Sequence, residues 1–95
     1  MHSKIQVSIK SLPEEYQRFL HPEKSEYRNK ILNFSDIIYS VNRLHQVITD
    51  RLSFIQLQYL DTLDLMILED FGKSLLAYMV QNDIGSIKFD NDYIL

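Results

Sequence analysis

The chain has 95 residues, 45% hydrophobic and 24% charged, with a net charge of −3, no cysteine, two glycines and two prolines. A chain of this length buries roughly 60–65% of the surface that its unfolded form exposes, so one domain with a thin core is expected, and a second copy or a partner would cover more. Without cysteine there is no disulfide framework and no thiolate chemistry; the composition is that of a globular chain, and no apolar run approaches the roughly 20 residues that span a bilayer.

Residues 4–10 alternate strictly, with Ile5, Val7 and Ile9 set against Lys4, Gln6, Ser8 and Lys10, the period of a half-buried strand. Ser11 stands three positions before Glu14 with Pro13 between them, which predicts a capped helix start and a short helix reaching Leu20. His21-Pro22 interrupts it, and Pro22 followed by Glu23 and Glu26 predicts the start of a long second helix. From there an apolar side chain recurs every three or four positions: Tyr27, Ile31, Phe34, Ile38, Val41, Leu44, Ile48, Leu52, Ile55 and Tyr59. Ile38 lies in the middle of this stripe, so Ile38→Asp is expected to be severely destabilising. Asn33, Ser35 and Ser53 are weak points. Ser53 with Gln56 can restart a helix and split the run near Leu52 into two antiparallel arms.

Asp61 to Val80 continues helical, with Leu60, Leu63, Ile67, Phe71, Leu75 and Tyr78 on one face and Leu65, Met66, Leu68, Leu76 and Met79 widening it. So broad an apolar surface predicts a central helix covered nearly all round. Asn82-Asp83-Ile84-Gly85 ends it, with Gly85 as the residue able to turn left-handed. Ile87, Phe89, Tyr93 and Leu95 then alternate, and a C-terminal strand pairing with the N-terminal one, within or between subunits, would satisfy the amides of both. The resulting expectation is a mainly α fold over residues 1–95: a small helical bundle of three to four helices with short N- and C-terminal β-strands.

One stretch invites a chemical reading. Asp64 begins an apolar run that ends in Glu69-Asp70, with Gly72-Lys73-Ser74 directly after it. The run resembles the Walker B strand of the helicase-loader ATPases, a resemblance that implies paired acids holding magnesium. A phosphate loop, however, requires glycine five positions before Gly72, where Ile67 stands, and should lie upstream of the acids on another strand. No family assignment follows, and no cofactor is expected.

Other chemistry is equally thin. His2, His21 and His45 are far apart and form no ligand pair at helical spacing, which gives no metal site, and His45 reads as a solvated residue on the long helix. Asp61 and Asp64 share a helix face but serve more simply as a cap and as support for the helix N-terminus. No serine has the glycine-flanked setting of a nucleophile elbow. The chain is therefore expected not to be an enzyme.

Charge is unevenly spread. Through residue 51 the basic residues outnumber the acidic ones eight to six; beyond it two lysines face seven acids. Such a chain can orient a second copy or present an acidic face to a basic partner. Six tyrosines and five phenylalanines supply aromatic anchors, with Phe34, Phe54 and Phe71 assigned to the core. The expected function is a non-catalytic protein-binding module: a regulator, inhibitor, immunity protein or adaptor, cytoplasmic, forming a homodimer, and of the kind that phages or plasmids encode. Tyr27, Tyr39, Tyr59, Asp61, Asp64, Glu69 and Asp70 are the candidate partner-binding residues. The alternative is a dimeric nucleic-acid-binding regulator using Arg18, Lys24, Arg28 and Lys30, although the glutamates interleaved with them cancel most of their field.

Overall fold

The computed structural model describes residues 4–20, 30–53 and 59–90. Strand β1 (Ile5–Ser8) runs into a 3-10 turn (Ile9–Ser11) and helix α1 (Glu14–Phe19). Strand β2 (Ile31–Asn33), helices α2 (Phe34–Leu52) and α3 (Tyr59–Gln81), and strand β3 (Ile84–Lys88) follow. The strands form one mixed sheet in the order β1-β3-β2. β3 pairs parallel with β1, from Ile5↔Ile84 to Ser8↔Lys88, and antiparallel with β2, from Ile31↔Lys88 to Asn33↔Ser86.

This is a small α+β fold, and it overturns the mainly α helical bundle that the sequence suggested. The difference lies at Ile31–Asn33, which the apolar rhythm assigned to a long helix. Asn33 is extended, at φ −85° and ψ 163°, and occupies the N-cap of α2; its backbone N–H donates to Oδ2 of Asp36 at 2.7 Å. That cap fixes the helix start at Phe34 and leaves Ile31 and Leu32 free to pair with β3. The expected helix over Pro22 to Asn29 lies outside the described residues.

The same cap sets the phase of α2. Ile37 is 1% exposed and Ile38 is 38% exposed, so Ile38 sits at the rim of the buried face and the expectation built on Ile38→Asp is corrected. Ile37, Val41 and Ile48 form the inward line. α2 ends at Leu52, the split that Ser53 permits; Gln56 lies outside the described residues. α3 returns antiparallel, since His45 meets Glu69 while Val41, earlier on α2, lies against Gly72, later on α3.

The core gathers beneath the sheet from every layer: Ile9 and Leu12, Leu20, Ile37 and Val41, Leu75 and Met79, then Ile84, Ile87 and Phe89. α1 packs on α3, with the rings of Tyr16 and Tyr78 5.2 Å apart at their centroids. Of the three phenylalanines assigned to the core, Phe34 and Phe71 are half-buried and Phe54 lies outside the described residues. Gly72 is the notch in which the helices meet: a Cβ built there would lie 2.6 Å from Cε1 of Phe19 and 2.7 Å from Cγ2 of Val41.

Two local expectations change. Ser11 does not cap α1; its hydroxyl donates to the carbonyl of Ser8, and the carbonyl of Pro13 accepts from Gln17. At the end of α3 the left-handed residue is Asp83, at φ 55°, and not Gly85. Asp83 turns the chain so that its carbonyl accepts from Ile5 N–H at 2.8 Å, starting the β1–β3 pairing. Gly85 is needed for space instead, because a Cβ there would lie 2.7 Å from Cβ of Lys4. The strand itself stops at Lys88, and Tyr93 and Leu95 lie outside the described residues.

Candidate functional site

Three features stand out among the described residues. The first is polar. Oε2 of Glu69 lies 2.9 Å from Nδ1 of His45 and 3.7 Å from Nζ of Lys73. Glu69 is 6% exposed, whereas the His45 side chain is 65% exposed. A buried carboxylate requires partners, and here α2 supplies one and the next turn of α3 the other. The arrangement fixes the imidazole and joins the two helices. Among the described residues no cluster of three histidine or carboxylate side chains could hold a metal ion.

The second is an open groove of about 450 Å³ where α2 meets β2 and the end of α1. Its lining includes Leu32, Ile37, Leu68 and Phe89, with Lys30, Asp36 and Tyr39 among its polar groups. Asp36 is committed to capping α2. Tyr39 is exposed, and the guanidinium carbon of Arg43 lies 6.0 Å from its ring centroid.

The third is apolar. Along the outer side of α3, Leu63 is 37% exposed, Met66 38%, Ile67 54% and Val80 58%. The sequence assigned Leu63, Met66 and Ile67 to a helix wrapped on all sides. The structure buries a different side of α3, through Thr62, Glu69, Gly72, Leu75 and Met79, and no described element covers the outer one. Among the described residues no helix is long and apolar enough to cross a membrane.

The candidate partner-binding residues do not converge. Asp64, Asp70 and Tyr39 are exposed, while Glu69 is turned inward to His45. Tyr59 and Asp61 belong to α3, but their side chains, like that of Arg18 on α1, lie outside the description. Because α3 starts at Tyr59, Asp61 lies inside the helix and is not its cap. Tyr27, Lys24 and Arg28 lie outside the described residues, and Lys30 is exposed just before β2. The stretch from Asp64 to Gly72 is helix throughout, which removes its resemblance to a Walker B strand.

The sequence missed the His45–Glu69 pair because its partners are far apart in the chain; only the four-residue spacing of Glu69 and Lys73 was visible. No family model, curated protein or solved structure matches the chain.

Proposed function

We propose that this chain is a non-catalytic protein-interaction module, a small regulator, inhibitor, immunity protein or adaptor, that binds through the outer face of α3. One observation carries the reading: Leu63, Met66 and Ile67 are all more than a third exposed within little more than one turn of a helix whose other side is built into the core, and Val80 is exposed near the far end of the same helix. Scattered apolar residues are ordinary on a surface, but a cluster of them on one helix is the form of a helix-mediated contact. Asp64 and Asp70 add acidic character beside it. The setting we propose is the cytoplasm, in keeping with a sequence free of cysteine.

The test is site-specific photocrosslinking in the native host, with the reactive group at Ile67 on the outer face of α3 or at Gln46, exposed on α2. A protein adduct formed from position 67 and not from position 46 supports the reading. Equal labelling at both, or none at 67, overturns it.

A further inference from the structure

The outer face of α3 has a pattern that suits a specific partner. Leu63, Met66, Asp70, Lys73, Ala77 and Val80 are all exposed, and their spacing alternates between three and four residues. That alternation keeps a seam on one side of a helix and is the repeat by which two helices pack side by side. The seam is apolar at both ends and charged only in the middle, where an acid and a base sit one turn apart.

The pattern is also self-complementary when reversed. A two-fold axis passing between Phe71 and Gly72 sets Leu63 against Val80 of a second copy, Met66 against Ala77 and Asp70 against Lys73, and then repeats each pair in mirror order. Every apolar residue meets an apolar one. Small Ala77 opposite Met66 admits close approach, and each charge meets its opposite. A parallel pairing in register would instead stack Asp70 on Asp70 and Lys73 on Lys73, which is repulsive. Asp70 has no partner among the described residues, so it is available for this contact; Lys73 lies 3.7 Å from the inward-turned Glu69, and its side chain stays 58% exposed, within reach of a second copy.

We infer that the outer face of α3 binds a second copy of this chain, antiparallel, in a register fixed by reciprocal Asp70–Lys73 pairs. This rests on the reading of α3 as the binding face and names its occupant. The seam from Leu63 to Val80 runs about 26 Å at 1.5 Å per residue, long enough for five turns of contact. An isologous contact of this kind closes on itself and ends at the dimer.

The absence of native cysteine makes the register directly testable. Met66→Cys and Ala77→Cys chains are purified separately, mixed and oxidised, since a disulfide forms only where Cβ atoms come close. A dimer by sedimentation at micromolar concentration, with the mixed 66–77 crosslink dominant over either self-crosslink, supports the inference. A 66–66 crosslink from the Met66→Cys chain alone means parallel pairing and overturns it. A wild-type monomer overturns it too, and a heterologous adduct from position 67 in the photocrosslinking experiment would then leave the broader reading standing.

Charge reversal gives a second arm. Asp70→Lys should weaken the dimer by about tenfold or more, and adding Lys73→Asp should restore it. A single variant that dimerises like the wild type overturns the register. Because Lys73→Asp also faces the buried Glu69, the crosslinking result decides if the double variant fails to fold.

Discussion

Nδ1 of His45 on α2 and Oε2 of Glu69 on α3 lie 2.9 Å apart, and they are the point at which a mostly apolar helix pair is joined by a directional contact. Truncating His45 to alanine leaves the buried carboxylate with Lys73 alone, 3.7 Å away. His45→Ala should therefore cost about 1–3 kcal/mol in urea unfolding. His45→Ala combined with Glu69→Leu should cost less than the single change, because the group left without its partner is removed as well. If the double variant is the less stable, the pair stabilises the hairpin more than its burial explains.

Gly72→Ala has two opposing effects. Alanine is about 1 kcal/mol better than glycine inside a helix, but the added methyl would lie 2.7 Å from Cγ2 of buried, β-branched Val41 and 2.6 Å from Cε1 of Phe19. The ring of Phe19 has room to move because it is only half-buried; Val41 does not. Overpacking of this kind costs about 1–3 kcal/mol, and we expect a net loss seen as a lowered melting temperature.

The phase of α2 can be tested by two adjacent carboxylates. Ile37→Asp places an unpaired charge in the core and should unfold the protein or cost several kcal/mol, on the order of 3–5. Ile38→Asp, at a position 38% exposed, should cost about 1 kcal/mol or less. Thermal melts monitored by circular dichroism distinguish them, and equal effects would contradict the helix phase.

Asp83 holds a left-handed backbone at φ 55°. Asp83→Gly removes the strain on a residue with a Cβ and should stabilise by up to about 1 kcal/mol, whereas Asp83→Val should destabilise by about 1–2 kcal/mol. The readout is the midpoint of denaturant unfolding. A neutral Asp83→Val would show that this turn relaxes freely.

Much of the helical content was visible in the sequence because apolar spacing reports helices directly. The apolar spacing marked most of α3 and the alternation of Ile5, Val7 and Ile9 marked the N-terminal strand, whereas the end of α2 at Leu52 was only permitted by Ser53, since the apolar rhythm runs on through Ile55 and Tyr59. What periodicity could not separate was Ile31-Leu32-Asn33, where three residues fit the helical rhythm as well as a strand. The decision belonged to Asn33 and Asp36, whose hydrogen bond starts the helix one residue later. That error shifted the buried face from Ile37 to Ile38. On α3 the apolar residues lie on so many sides that spacing names no inward direction, and the core selects one by packing Gly72 against Phe19 and Val41. The candidate site suffered from the same ambiguity: Leu63, Met66 and Ile67 looked like core until the fold left them outside.

The parallel pairing of β1 with β3 has a consequence for the order in which the protein assembles. Ile5 finds its partner at Ile84, on the far side of every helix, so this pairing closes a loop spanning nearly the whole fold. Loop closure of that length delays the gain from pairing, whereas α2 and α3 meet through a short hairpin. The helical hairpin and the β2–β3 pair can therefore form a nucleus first, with β1 docking last along the edge of β3. During synthesis β1 leaves the ribosome well before β3, its partner in the sheet. Its backbone waits for Ile84 to Lys88 to emerge before it can pair there, and destabilising changes in β1 should accelerate unfolding while leaving the folding rate nearly untouched.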